Sequence, residues 1–354
     1  MKKILFIILS ILIIGSTFYI GVVTAQEQYI LKYSHTDAAD PFVGGASPAY
    51  AVSLKAEVER LSGGKIKVEI YPGGQLGDSR SIAEQIRKGT VEASNIGSGL
   101  LASLYFEKMN IFDMPFSFSS KEVARRVLDI NRPFTRKLVE ECAEKTGIRI
   151  LGLMPYGLRY LTNNIRPVHS PDDMKGLKIR TMEIVPHMEL IKSLGAIPTP
   201  IPWLELYTSL QTKVVDGMEC PFYLIASQKF YQVQKYLTTT GHIMGIAADI
   251  ISEKFFQSLP DDLKVALIEG VRVAQDAFIG FGTVMDSTGL KEIEASGTEV
   301  YTLTPEEMAM FKEKTVPAVR KWMEKQLGAD FITEYLAVIK AAEDELRAEV
   351  KSLK

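Results

Sequence analysis

Residues 170–182 read SPDDMKGLKIRTM, and this stretch sets the fold class. Ser170 suits an N-cap, Pro171 the first helical position, and Asp172 and Asp173 put negative charge in the first turn. Gly176 ends that short helix and feeds a strand. In the strand, Leu177, Ile179 and Thr181 fall on one face, and Lys178, Arg180 and Met182 on the other. A helix start, a glycine stop and an alternating strand in so short a span form the repeating unit of an α/β protein. Alternation alone leaves Arg180 with two readings, a solvated strand face or a site.

The same punctuation recurs outward from this stretch. Residues 29–34 and 65–71 (KIKVEIY) read as strands, the second with Ile66, Val68 and Ile70 inward. Residues 49–61 read as a helix with Val52, Ala56 and Leu61 on one side, stopped by Gly63 and Gly64. Residues 79–88 form a helix closed by Gly89, followed by a strand over 91–96. A second α/β set follows the strand at 148–154. It holds GLKIRTM, a helix around 186–194, a helix over 203–211 carrying Leu206 and Leu210, and a strand at 214–219 (VVDGME). Pro260 then opens a helical run to about Ser296, with Leu263, Leu267, Val271, Ala274 and Phe278 on one face and a candidate kink at Gly280 and Gly282. At 1.5 Å per residue such a helix is roughly 50 Å long, enough to brace two domains. The last 50 or so residues read as amphipathic helices.

Export is written at the N-terminus. A basic Met1-Lys2-Lys3 precedes an apolar run at residues 4–15, and Val23-Thr24-Ala25 offers small residues for cleavage. The apolar character continues to Val23, so residues 1–25 read as a signal peptide or as a retained anchor, roughly the ~20 residues a bilayer span needs. The 354 residues suit about two domains, and 46% hydrophobic residues fill their cores. A net charge of −2 argues against nucleic acid as a partner. Cys142 and Cys220 are the only cysteines and read as free and buried rather than as a disulfide framework.

No catalytic motif emerges: GxSxG, HExxH and GxxxxGK[ST] are all absent. His35, His169, His187 and His242 lack metal-ligand spacing and read as surface or lone pocket residues, so neither metal nor cofactor is expected. The glycine-rich turn at residues 71–78 lacks the lysine of a phosphate loop. Two arginines remain, Arg159 in PYGLRYLTNN and Arg180 in GLKIRTM. A guanidinium at a strand end facing a cleft is the usual clamp for a carboxylate, because its parallel donors match the acid's two oxygens. Trp203 in IPWLELY reads either as core or as a flat apolar wall. From residues alone the chain is an exported two-domain α/β protein, a small-molecule binder rather than an enzyme.

These motifs, taken in order, resemble a known family. GGKIKVEIYPGGQLGDSR, GLRYLTN, SPDDMKGLKIRTM, LGAIPTPIPWLELYTSLQT, VVDGMECP and QKFYQVQKYL follow the order and spacing of the DctP-like solute-binding subunits of tripartite ATP-independent periplasmic (TRAP) transporters, across essentially the whole mature chain. The resemblance implies an α/β, two-lobed periplasmic-binding-protein-like fold with a hinge and a long helix spanning both lobes. It places residues 26–155 plus about 247–285 in one lobe, and 156–246 plus about 286–354 in the other. It also implies a periplasmic monomer that hands a small organic acid anion, such as a C4-dicarboxylate or keto acid, to one small and one large membrane subunit. The binding protein of an ATP-driven transporter, or a sensor input module, is the alternative.

In the family the arginine at Arg180 grips the ligand carboxylate with two prongs, and Arg159 lines the same cleft and assists. Trp203 sits where an aromatic flanks the ligand. Glu205 belongs to a cleft-shaping motif, as does Asp216, which reads as structural. Tyr156 and Glu183, beside the two arginine motifs, complete the expected ligand-binding set with Cys220 and Gly97. Several positions depart from the pattern. Cys220 and Met218 replace Asn and Gln of DGQENP, and Gly97 and Leu100 stand where sialic-acid binders carry Glu and Arg. Sialic acid is therefore disfavoured, and a small or partly apolar acid favoured. Lys213 stands where many members have Gly, with no functional reason evident in the sequence.

Overall fold

The computed structural model describes residues 28–353, so the export segment at residues 1–25 lies outside the described residues. Two sheets organise the chain. The first comprises β1 (Tyr29–Ser34), β2 (Ile66–Tyr71), β3 (Ala93–Gly97), β4 (Ile148–Leu158) and β10 (Met244–Ser252), in the order β2-β1-β3-β10-β4. β1, β2 and β3 run parallel, and β10 lies antiparallel to β3 and β4. The second holds β5 (Tyr160–Asn163), β6 (Lys178–Thr181), β7 (Ile197–Pro200), β8 (Gly217–Cys220), β9 (Tyr236–Thr238) and β11 (Glu299–Tyr301), in the order β11-β9-β5-β8-β6-β7.

The chain passes from the first sheet to the second at Arg159, the residue between β4 and β5, and returns between β9 and β10. These crossings are tied together: the Arg159 N–H donates to the Ile243 carbonyl at 2.9 Å, and the His242 N–H to the Arg159 carbonyl at 3.3 Å. A third connection is the helix Asp261–Ala295, which runs unbroken through Gly280 and Gly282. Leu263, Leu267, Val271, Ala274 and Phe278 are all buried along it. Its first half packs on the helix Ala46–Leu61, where a Cβ at Gly270 would meet Val58 Cγ2 at 2.5 Å. Its second half lies on the helix Phe222–Ser227, where a Cβ at Gly289 would sit 3.1 Å from the Phe222 carbonyl. Two close approaches at glycine thus fasten one rod to both halves of the molecule.

Most local expectations hold. Residues 79–88 form a helix capped by the Asp78 carboxylate and closed by left-handed Gly89. Pro171–Met174 is a helical turn whose Asp173 carboxylate accepts from the Ser170 N–H at 2.8 Å. The inward face of Ala46–Leu61 differs from expectation. Ala51, Leu54 and Val58 are buried, whereas Val52 is 45% exposed. The face is chosen by the long helix, whose Gly270 comes up against Val58. The C-terminal helices also divide. Pro305–Leu327 packs on the helix Val185–Ser193, while Ala329–Ser352 returns to Lys121–Leu128 on the side of the first sheet. There Arg126 pairs with Glu349 at 2.5 Å, and Arg132, just beyond that helix, pairs with Glu345 at 2.7 Å. Lys213 has φ 59°, the left-handed conformation that glycine adopts without cost.

Gly217 sits where β8 meets β5, and a Cβ there would lie 2.0 Å from the Thr162 carbonyl oxygen and 2.9 Å from Asn163 Cα. Because the obstacle is backbone, Gly217→Ala should cost at least about 1–3 kcal/mol, the usual range for overpacking. Chemical denaturation of the variant measures this; an unchanged midpoint would contradict the close β5–β8 contact.

Candidate functional site

β6 carries Arg180 into the interior between the sheets. Its neighbours are β7 and β8, with Arg180 opposite Thr199 and Met218, and the residue is only 2% exposed. Strand alternation therefore resolves toward a site. Nε donates to the Ile201 carbonyl at 2.9 Å, whereas the buried Nη1 has no hydrogen-bond partner among the described residues. The Trp203 ring lies 5.9 Å from the guanidinium carbon. Burial pulls the Arg180 pKa down to about 10, with Glu219 acting in the opposite direction. A buried cation with an empty donor is costly unless an anion meets it.

Arg180 faces a cavity of about 140 Å³. The first-sheet side contributes Asp37, Asn95 and Gly97, and the second-sheet side Met182, Trp203 and Cys220. Tyr156, Arg159 and Glu183 also line it. Burial pushes the Cys220 thiol up to about 12, so it presents a neutral surface. At the mouth, Arg80 on the helix Ser79–Lys88 meets Glu183, just past β6, at 2.9 Å. Glu205 is the expected site residue that the structure does not bring in. It lies exposed on the turn Trp203–Glu205, whose Trp203 points inward instead. Asp216 brackets β6 to β8 by accepting the Lys178 N–H at 2.8 Å and donating its own N–H to the Lys178 carbonyl at 2.8 Å.

Arg159 differs from the expected second clamp. Its guanidinium is occupied by a carboxylate of the protein itself. Nη2 donates to Glu219 Oε1 at 3.0 Å and to the Glu219 carbonyl at 2.7 Å, and Nε pairs with Glu219 Oε2. Nη1 donates to the Tyr156 hydroxyl at 2.9 Å. Burial alone would raise the Glu219 pKa, but Arg159 and His187 hold it well below the usual carboxylate range. His187 joins this network. Its Nδ1 lies 3.3 Å from Glu219 Oε1 and its Nε2 3.1 Å from Asp113 Oδ1. His242 Nε2 stands 3.6 Å from Glu219 Oε2. The expectation of surface or lone histidines thus fails for His187 and His242, which gather at Glu219, whereas His35 is buried apart from that cluster. Sequence reasoning missed Glu219, Asp113, Asp37 and Asn95. Only Glu219 left a trace, as a carboxylate two residues beyond Gly217 in an otherwise apolar strand. Among the described residues no group of three or more His, Cys, Asp or Glu could hold a metal ion.

With this geometry in hand, relatives are informative. Residues 46–326 match the family described as bacterial extracellular solute-binding protein, family 7, and the chain belongs to that family. It is similar to a solute-binding protein of Verminephrobacter eiseniae, 34% identical over 86% of this chain and 88% of that one. Among solved structures it resembles the sugar acid binding protein DctPAm of Advenella mimigardefordensis in complex with galactonate. That match has a TM-score of 0.82 and 28% identity, over 89% of this chain and 99% of that one. It also resembles a TRAP periplasmic solute binding protein of Polaromonas bound to D-erythronate, with a TM-score of 0.80 and 30% identity over 88% and 99%. The fold is therefore the two-lobed one of TRAP solute receptors, and no helix among the described residues is long and apolar enough to cross a membrane.

Two predictions follow from the buried network. Glu219→Ala leaves the Arg159 charge unpaired and should cost about 3–5 kcal/mol, read by denaturant unfolding; a loss below 1 kcal/mol would mean the pair is solvated. The His187 pKa is raised, because Glu219 and Asp113 outweigh burial. A raised base contributes stability below its unfolded pKa and loses it as pH rises through the higher folded value. Wild type should therefore lose more stability than His187→Gln between pH 6 and pH 9; parallel profiles would refute the assignment.

Proposed function

We propose that this protein is the extracytoplasmic receptor of a TRAP transporter, capturing a small organic acid anion and presenting it to the small and large membrane subunits. The observation that carries this reading is the buried Arg180 on the cavity wall, whose Nη1 has no hydrogen-bond partner among the described residues. Because Nε is occupied by the Ile201 carbonyl, the carboxylate docks on the Nη1–Nη2 edge. In a dry site such a charge-assisted pair counts for several-fold more than at the surface. Trp203 and Cys220 flank the ligand, Gly97 and Tyr156 border it, and Glu183 closes the mouth with Arg80. Arg159 acts from behind, fixing Glu219 and Tyr156.

The lobes follow the sheets, with the first-sheet elements forming one lobe and the second-sheet elements the other. The hinge lies at Arg159 and at residues 239–243, and the final helix, Ala329–Ser352, straps back across to the first lobe. Ligand bridging both walls favours the closed form, and closure is the state the membrane subunits read. The protein works as a periplasmic monomer, cleaved or tethered through residues 1–25, and performs no chemistry. The cavity cysteine Cys220 is held neutral, and His187 is engaged with Glu219 and Asp113.

A thermal-shift panel of mono- and dicarboxylates, keto acids, sugar acids and aromatic acids tests this. Ligand at about 100 times Kd adds roughly 2.7 kcal/mol, a shift of a few degrees. Arg180→Ala should abolish every shift, and Arg180→Lys should weaken binding by at least about tenfold, since an ammonium does not reproduce the planar fork. Retained binding in Arg180→Ala would overturn the reading.

A further inference from the structure

The cavity holds a second polar pole on the wall opposite Arg180. β1 and β3 are adjacent parallel strands of the first sheet. Asp37 follows the end of β1, and Asn95 lies within β3; both line the cavity. Asp37 is only 8% exposed and hydrogen bonds to Ser47 and Trp203. The Asn95 Nδ2 is buried with no partner among the described residues. A carboxylate and an amide residue thus line the space that Arg180 borders from the other side.

Charge balance in the lining decides what fits between them. Arg80, Arg159 and Arg180 are the arginines of the cavity wall. Glu183 pairs with Arg80 and Glu219 with Arg159, so only Arg180 is free to accept an anion. Once a single carboxylate neutralises it, no unpaired arginine remains for a second, and Asp37 adds a negative charge on the far wall. Burial lifts the Asp37 pKa to about 6, so at pH 7.5 it is still largely ionised and can only accept hydrogen bonds.

Building on the carboxylate reading of Arg180, we infer that the ligand is a monocarboxylate bearing hydroxyl donors, with its acid on Arg180 and a hydroxyl donating to Asp37, and that Asp37 excludes dicarboxylates. A ligand hydroxyl directed at Asp37 meets an acceptor that a second carboxylate could not use. Such a ligand bridges the two walls, which ties its recognition to closure. A site built around a hydrogen-bonding group rejects analogues lacking it far more strongly than an apolar pocket rejects a methylene.

Three four-carbon acids separate the possibilities by titration calorimetry at pH 7.5: D-erythronate with hydroxyls, succinate with a second carboxylate, and butyrate with neither. Wild type should bind D-erythronate at least about tenfold more tightly than succinate or butyrate. Asp37→Asn, isosteric and neutral, should shrink the D-erythronate to succinate ratio by at least about tenfold, with succinate gaining in absolute affinity. Succinate binding wild type as tightly as D-erythronate would overturn the inference, as would an unchanged ratio in Asp37→Asn. The wild-type ranking stands as a test even should the variant misfold. Binding of none of the three also overturns it, while the carboxylate reading would then rest on the wider panel and on Arg180→Ala. Loss of all binding in Arg180→Ala with an unaltered ratio in Asp37→Asn sinks this inference alone.

Discussion

The ion pair between Arg159 and Glu219 is the interaction on which the rest of the site depends. Both partners are at most 1% exposed, and they sit where the chain crosses between the two sheets. Desolvating two charges is costly, and such a pair is tolerated when its remaining donors and acceptors are satisfied. Here they are met by Tyr156, by the Glu219 carbonyl and by His187. The consequence is positional. Glu219 on β8, Arg159 between β4 and β5, and His187 on the helix after β6 are fixed relative to one another, and the Arg180 strand is held beside them.

That arrangement explains the different states of two arginines of the same residue type. Arg159 is satisfied by an internal carboxylate, so its charge is neutralised whether or not ligand is present. Arg180 is buried equally deeply but has only one carbonyl partner on Nε. Among the described residues, Arg180 is thus the arginine of the cavity wall that has no internal carboxylate. Its energetic cost is the counterpart of anion affinity, because the binding free energy includes relief of that burial. The neighbouring groups reinforce selectivity by what they cannot do: Cys220 presents a neutral thiol, and Gly97 presents no side chain.

Mechanically, three of the connections between the halves stand near the site or brace it. Two are the bonded crossings at Arg159 and Ile243, and the third is the helix Asp261–Ala295 seated on glycine contacts at both ends. Short crossings allow rotation of one half against the other, whereas close-packed glycine contacts resist sliding. The His187–Asp113 contact and the Arg80–Glu183 pair join groups separated in sequence by 74 and 103 positions. Both contacts draw together segments far apart in the chain around the same cavity.

Much of this was legible in the sequence. The turn chemistry of SPDDMKG, the alternation of KIKVEIY and the apolar face of the long helix are local, and each element formed where its pattern indicated. The placement of Arg180 and Trp203 at one cavity was legible too, through ordered motifs whose spacing a chance sequence would not keep. Other features required tertiary structure, because they depend on which groups meet across long loops. Alternation could not say that the Arg180 face turns inward, nor that Arg159 would find Glu219, 60 positions away. It could not show that Val52 yields the helix interface to Ala51, Leu54 and Val58, or that Asp37 stands opposite the clamp. Periodicity fixes the faces of an element; only packing decides which face meets a partner, and charges are assigned by the partners they meet.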